Sequence, residues 1–126
     1  MEISKRISGY LETSEPVHQY TLCRDGLAVE ILEYGGIITR ISVPDREGTV
    51  GNIVLGYEML PAYIADRHYI GRLIGRVANR VSGGQFSIQG KTYQLPLNLP
   101  PHHLHGGPGG VSDSLWQGAI ADDGRS

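Results

Sequence analysis

Apolar and polar residues alternate in two parts of the chain, which is the pattern of half-buried β-strands. Residues 19–24 and 27–33 flank Asp25-Gly26, a dipeptide that tolerates positive φ and is typical of a two-residue hairpin turn. Residues 86–95 alternate in the same way around Gln89-Gly90. The sequence therefore predicts two antiparallel β-hairpins.

Between these hairpins the pattern is less regular. Residues 37–43 mix β-branched and polar side chains and predict a third strand, which ends at a Pro- and Gly-containing turn over residues 44–48. A fourth, short strand is expected at residues 52–55. From residue 58 to 66 the apolar spacing is nearer to helical than to alternating, and Pro61 fits only the start of a helix. This segment is predicted to be a short helix or a structured loop.

The last apolar run, residues 115–121, predicts a strand that leads into a turn at residues 122–124. No returning strand follows, so this strand is expected to lack a partner and to leave an exposed edge. Because the sequence contains no internal repeat and no linker, we interpret residues 1–126 as a truncated part of a single, larger fold.

The composition supports a β-rich fold and a neutral partner. The chain has 18 glycines and 7 tyrosines in 126 residues, which favours short strands joined by tight turns over helices. The net charge is −2 and the pI is about 6.2, so the chain lacks the positive charge that attracts nucleic acid or an anionic membrane. We expect a small, uncharged ligand.

Cysteine content and the N-terminal sequence bear on location. Residues 1–6 lack the apolar core of a signal sequence, and no apolar run is long enough to cross a bilayer, so a soluble cytoplasmic protein is expected. Cys23 is the single cysteine and cannot form an internal disulfide. We interpret it as a small core residue.

Three arginines and one asparagine form the first group of candidate site residues. On a strand, the even spacing of Arg72, Arg76 and Arg80 would place them on one face, and we interpret Arg72 and Arg76 as a solvated basic surface. Arg80 differs because Asn79 precedes it and Ser82-Gly83-Gly84 follows it. A guanidinium held beside an amide can donate directed hydrogen bonds to sugar hydroxyls or to a ring oxygen. Asn79 and Arg80 are therefore candidate substrate-binding residues.

The second group is a run of histidines that precedes a glycine-rich loop. His102 and His103 are interpreted as solvated loop residues. His105 is followed by Gly106-Gly107, and because such a run costs chain entropy unless the backbone geometry requires it, we expect a ligand contact there. A metal site on His103 and His105 is an alternative, but no carboxylate or cysteine stands at a ligand spacing that would complete it.

The ordered run from residue 75 to 107 resembles the aldose 1-epimerase (galactose mutarotase) family. The family pattern is G-R-x-A-N-R-I/V, then F-x-[I/L]-x-G-x-x-Y-x-L-x-x-N, then L-H-G-G, and it is matched by residues 75–81, 86–98 and 104–107. The resemblance implies an all-β, antiparallel β-sandwich of the galactose mutarotase-like supersandwich type, here an N-terminal segment of it. It also implies the interconversion of α and β anomers of hexoses such as galactose and glucose, by acid–base ring opening and closure without metal or organic cofactor.

The resemblance assigns roles to three residues. Residues that match Asn79, Arg80 and His105 hold the aldohexose, and His105 also supports the charge at the ring oxygen. The acid histidine, a hydroxyl-binding aspartate and the glutamate base come later in family chains and have no match here, so the chain alone is expected to be inactive. If it proved active, Glu33 and Asp113 would be the first acids to test. The alternative function is a non-catalytic carbohydrate-binding β-sandwich, and the oligomeric state stays open.

Overall fold

The computed structural model of the protein describes residues 1–121, which form a five-stranded sheet, two short two-stranded sheets and one α-helix. No helix in this part of the chain is long and apolar enough to span a membrane. In chain order the elements are β1 (Glu2–Tyr10), β2 (Pro16–Arg24), β3 (Leu27–Leu32), β4 (Ile38–Pro44), β5 (Val50–Asn52), α1 (Leu60–Ala65), β6 (Arg80–Val81), β7 (Gln85–Ile88), β8 (Lys91–Gln94) and β9 (His103–Leu104), with 3₁₀ turns at Ser82–Gly84 and Val111–Asp113.

The five-stranded sheet is an antiparallel meander in which β1 to β5 lie in sequence order. The predicted hairpin of β2 and β3 is confirmed, with Arg24 opposite Leu27 across the turn. Asp25 and Gly26 have φ values of 49° and 81°, the left-handed backbone that a tight hairpin turn requires. Cys23 lies on β2 and is only half-buried, so it is not part of the core cluster.

Strand β1 was not expected from the sequence. It pairs with β2 along its whole length, with an irregularity between Ile7 and Gly9. The strand lies at the edge of the sheet and is largely exposed, so no apolar alternation was needed to form it.

The predicted third strand is confirmed as β4, whereas the fourth is found at Val50–Asn52 rather than at 52–55. The side chain of Asn52 explains the earlier end. Its Oδ1 accepts hydrogen bonds from the backbone N–H groups of Ile41 and Val54, and its Nδ2 donates to the carbonyl of Val54. After Asn52 the chain is therefore held by this side chain and by a single backbone hydrogen bond, from the Ile53 N–H to the Ile41 carbonyl, and the strand does not continue.

Residues 58–66 contain the predicted short helix, α1, with Pro61 in its first turn. Leu60 and Tyr63 on this helix pack onto Val17 and Leu32 of the sheet and form the core together with Ile37. Gly9 permits this packing because a Cβ there would lie 2.9 Å from the Leu60 side chain. The core therefore lies at one end of one face of the sheet.

The predicted second hairpin is also confirmed, as β7 and β8. Gln89 and Gly90 form its turn with φ values of 51° and 77°, and the rings of Phe86 and Tyr93 stack with centroids 5.3 Å apart.

The prediction of a strand at 115–121 is wrong. Leu115 makes only an isolated bridge with Tyr34, and the segment is bound to the chain that follows β3. The N–H of Trp116 donates to the Glu33 carbonyl, and the N–H of Gly35 donates to the Ser114 carbonyl. The expectation that this segment lacks a partner is therefore also wrong, and the predicted turn at 122–124 lies outside the described residues.

Candidate functional site

Two loops meet where the short strands β6 and β9 pair, with Arg80 opposite Leu104. The pairing places Asn79 and His105 side by side just beyond the strand ends. The N–H of His105 donates to the Asn79 carbonyl at 3.0 Å, and the N–H of Asn79 donates to His105 Nδ1, also at 3.0 Å. The structure thus brings together all three residues that the sequence indicated as substrate-binding.

Several polar side-chain groups of this junction have no hydrogen-bond partner in the described part of the chain. Arg80 Nη1 donates to Asn79 Oδ1 at 3.1 Å, which orients the guanidinium and the amide relative to each other. Within residues 1–121, the Asn79 Nδ2 group and the His105 Nε2 atom have no hydrogen-bond partner. Asn79 and Arg80 are exposed, and His105 is half-buried. These groups can therefore bind a hydroxylated ligand without first breaking protein contacts.

A glycine makes the close approach of the loops possible. Gly106 has a φ of 88°, and a Cβ at this position would lie 2.0 Å from the carbonyl oxygen of Gly75. Any side chain would push the loop that carries His105 away from the loop that carries Asn79. Backbone geometry thus accounts for Gly106, and the ligand contact expected at His105 stays a prediction.

Tyr69 is a residue of this region that the sequence did not indicate. Its ring contacts the His105 imidazole edge to face, with centroids 4.9 Å apart and an interplanar angle of 69°. No short-range pattern connects these two residues, because the contact depends on how two distant loops fold together. Only the tertiary structure identifies Tyr69.

The loop that carries Tyr69 is held by Asp66. The Asp66 carboxylate accepts hydrogen bonds from the N–H groups of His68 and Ile70 and from the Tyr57 hydroxyl. Burial of the carboxyl raises its pKa, but these hydrogen bonds and the nearby charge of Arg72 outweigh burial and lower the pKa of Asp66 below its usual value. The Asp66 side chain is therefore a buried, ionised carboxylate that fixes the loop.

The interpretation of Arg72 as part of a solvated basic face is wrong. No strand spans residues 72–79, and the Arg72 side chain is 2% exposed. Its guanidinium bonds to Asp113 Oδ1 at 2.6 Å and to the carbonyls of Ser112, Tyr63 and Asp66. Arg72 thus joins residues 63–66 to residues 112–113, which are distant in sequence. Arg76, in contrast, is exposed as expected.

The interpretation of His103 as a solvated residue is also wrong. His103 is 2% exposed, and its Nδ1 donates to the Pro96 carbonyl at 2.8 Å. His102 is half-buried, with Nδ1 at 3.4 Å from the N–H of Gly83. Within the described part of the chain, no group of three or more His, Cys, Asp or Glu side chains is arranged to hold a metal ion.

The two acidic residues that the sequence indicated as possible substitutes for a base already have partners. Asp113 is paired with Arg72. Glu33 is buried and accepts hydrogen bonds from His18 Nδ1 at 2.6 Å, from the Tyr20 hydroxyl at 3.0 Å and from the N–H of Gly118 at 3.3 Å. Burial raises the pKa of this carboxyl, but the hydrogen bonds outweigh burial and lower the pKa of Glu33 to about 2. So acidic a carboxyl is a weak base.

Comparisons with known proteins identify the family. A sequence profile described as aldose 1-epimerase matches residues 18–125. The galactose mutarotase of Rattus norvegicus is 40% identical over 108 residues, which are 86% of this chain and 32% of that protein.

Two solved structures have the same fold. The galactose 1-epimerase of Lactobacillus acidophilus matches 97% of this chain and 35% of its own length, with a TM-score of 0.79 and 27% identity. An aldose epimerase homologue from C. elegans matches 79% of this chain and 30% of its own length, with a TM-score of 0.73 and 32% identity. The predicted antiparallel β fold is thereby confirmed, and the chain spans about a third of the length of these relatives. On this evidence, the chain belongs to the aldose 1-epimerase family.

Proposed function

We propose that residues 1–126 supply a sugar-binding corner of an aldose 1-epimerase and form the N-terminal part of its single β-sandwich domain. The reaction would interconvert the α and β anomers of an aldohexose such as galactose or glucose. The observation that supports this proposal is the reciprocal pair of hydrogen bonds between Asn79 and His105, with Arg80 bound to the Asn79 side chain. These contacts hold an amide, a guanidinium and an imidazole close together, and in the proposed site all three bind one sugar.

The chemistry of these groups suits binding better than proton abstraction. Amide and guanidinium N–H groups donate hydrogen bonds to hydroxyls and to a ring oxygen, and neither group takes a proton at neutral pH. Ring opening also needs a base for the anomeric hydroxyl and an acid for the ring oxygen. The family pattern has no match for these in this sequence, and Glu33 and Asp113 are held in other contacts. Binding alone stabilises ground and transition states alike and does not raise turnover.

A binding experiment on the 126-residue chain tests the proposal. We expect galactose or glucose to shift the NMR signals of Asn79, Arg80 and His105, and Arg80→Lys to weaken binding because lysine lacks the planar fork of donors. Arg76→Lys is the matched control, since Arg76 is an exposed arginine in the same loop and is expected to leave binding unchanged. Equal binding by wild type and Arg80→Lys would contradict the proposed site.

Polarimetry separates the enzyme from the alternative of a non-catalytic carbohydrate-binding β-sandwich. The 126-residue chain should not accelerate the mutarotation of α-galactose above the spontaneous rate. In a longer chain that adds an acid and a base, His105→Ala should slow anomer exchange on the order of a hundredfold, since a group that stabilises a developing charge is lost. A longer chain that binds sugar without accelerating the exchange would favour the non-catalytic alternative.

A further inference from the structure

Three residues with an unusual backbone meet at one point of this structure. Within residues 1–121, the non-glycine residues with positive φ are Ser14, Asp25, Tyr69, Asn79, Gln89 and His105. Ser14, Asp25 and Gln89 lie in tight turns between sequential strands, where such a backbone is ordinary. Tyr69, Asn79 and His105 do not, and yet His105 contacts both of the others.

This backbone has a cost. A bulky residue such as Tyr69, with a φ of 59°, is strained in the left-handed region. Such strain persists only where surrounding contacts enforce it, and at Tyr69 they do. The Asp66 carboxylate accepts hydrogen bonds from the N–H groups of His68 and Ile70, the residues on either side of Tyr69. Arg72 anchors the end of the same loop by donating to the Asp66 carbonyl. The Tyr69 ring is thus placed against His105 by a rigid loop.

The hydrogen bond from Asn79 fixes the protonation pattern of His105. A backbone N–H can only donate, so the Nδ1 atom that faces it at 3.0 Å must carry a lone pair. The neutral imidazole therefore has its proton on Nε2, which has no partner in the described part of the chain. His103 shows the opposite arrangement, because its Nδ1 faces the Pro96 carbonyl, which can only accept.

We propose that Tyr69 is a positioning residue. Its ring and the Asn79 backbone N–H together hold the His105 imidazole in one orientation, in which Nδ1 accepts from the protein and Nε2–H is presented as a donor to a sugar oxygen. The backbone contact fixes which nitrogen accepts, and the edge-to-face contact prevents the ring from turning away. The sugar contact rests on the proposed function, whereas the orientation of the ring does not.

NMR on the ¹⁵N-labelled 126-residue chain tests the orientation without any sugar. We expect a scalar coupling across the hydrogen bond between the Asn79 amide nitrogen and His105 Nδ1, slow exchange of the Asn79 amide proton, and a proton on Nε2 of His105. His103 serves as the internal reference, since its proton should be on Nδ1. A proton on His105 Nδ1, or the absence of the coupling, would overturn the proposal.

Two substitutions test the part played by the ring. Tyr69→Phe keeps the ring and should preserve the coupling and the slow exchange. Tyr69→Asn removes the ring but suits the left-handed backbone, and it should speed exchange of the Asn79 amide about tenfold, which corresponds to the loss of one hydrogen bond. Unchanged exchange in Tyr69→Asn would overturn the role of Tyr69. If Tyr69→Asn did not fold, the wild type would provide the test. The absence of nuclear Overhauser effects between the Tyr69 and His105 rings would then overturn the role of Tyr69.

A sugar titration distinguishes this proposal from the proposed function. We expect galactose or glucose to shift the His105 Nε2 signal, and to bind several-fold more weakly to Tyr69→Asn than to Tyr69→Phe. If neither sugar shifts His105 while the coupling to Asn79 is present, the proposed function fails and the positioning role stands. If sugar binds to both variants equally, the positioning role in binding is overturned and the proposed function stands.

Discussion

The five-stranded sheet and the loop region that carries the candidate site, residues 66–121, are stabilised in different ways. In the sheet, each strand pairs with the next one along the chain, and the turns are short. In the loop region, the strands β6 and β9 are two residues long, and their pairing joins segments that the β7–β8 hairpin separates. Buried polar contacts replace strand ladders there, with Arg72 as their centre.

This difference shows where each region is vulnerable. A regular sheet distributes its stability over many similar hydrogen bonds and apolar contacts, so the loss of one side chain is local. A region tied together by a buried charge depends on that charge, because removing one partner leaves the other buried and unpaired. Three substitutions test this comparison, in order of decreasing effect.

Arg72→Leu should have the largest effect. Removing the guanidinium breaks its close pair with Asp113 and its longer one with Asp66, and it takes a donor from the buried carbonyls of Ser112 and Tyr63, so we expect the free energy of unfolding to fall by about 3–5 kcal/mol. Urea titration should be followed by Trp116 fluorescence, since the indole N–H bonds to the Val111 carbonyl within the loop region, and by circular dichroism for the sheet. Fluorescence should change at lower urea than the dichroism.

The control for that experiment is Arg76→Leu, at an exposed arginine of the same region, which should change stability by less than about 0.5 kcal/mol. A loss below about 1 kcal/mol in Arg72→Leu would mean that Arg72 contributes no more than a surface ion pair.

Glu33→Gln should have an intermediate effect, because Glu33 connects the two regions. Its carboxylate binds His18 and Tyr20 of the sheet and the N–H of Gly118. Lowering the pKa from 4.5 to about 2 corresponds to about 3 kcal/mol of folding free energy, at ~1.4 kcal/mol for each pH unit. Because the folded pKa is lowered, this stabilisation is complete above pH 4.5 and is lost as the pH falls toward 2.

Unfolding free energies measured between pH 7 and pH 2.5 check this prediction. Glu33→Gln should be less stable than wild type by about 2–3 kcal/mol at pH 7. This difference in unfolding free energy should become smaller as the pH is lowered toward 2.5. Glu12→Gln, at an exposed glutamate in the turn after β1, is the matched control and should parallel wild type. A constant gap across this pH range would show that the Glu33 charge does not stabilise the fold.

Gly26→Ala should have the smallest effect. Nothing lies within 4 Å of a Cβ at this position, so the cost is only that of a left-handed φ of 81°, about 1 kcal/mol. Gly51→Ala on β5 is the matched control, since Gly51 has equally open space but no positive φ, and it should be neutral. Thermal melts of both variants compare them directly. Equal melting temperatures would show that the turn backbone does not limit the stability of the sheet.

The sequence predicted those parts of the fold that depend on neighbouring residues. The β2–β3 and β7–β8 hairpins follow from alternation around a dipeptide that accepts positive φ, and α1 follows from helical spacing with Pro61 in the first turn. Strand β1 was missed because an exposed edge strand needs no apolar alternation. The segment at 115–121 was predicted as a strand because its apolar run is typical of one, but hydrogen bonds to residues 33–35 hold only part of it.

For the candidate site, the sequence by itself determined which residues come together, since Asn79, Arg80 and His105 stand in motifs of the aldose 1-epimerase family. Only the tertiary structure decided that Tyr69 contacts His105 and that Arg72 and His103 are buried. The physical reason is the range of the interactions. Turn geometry and side-chain periodicity act over a few residues, whereas the burial of a charge or a ring depends on segments that are distant in the chain and meet only after folding.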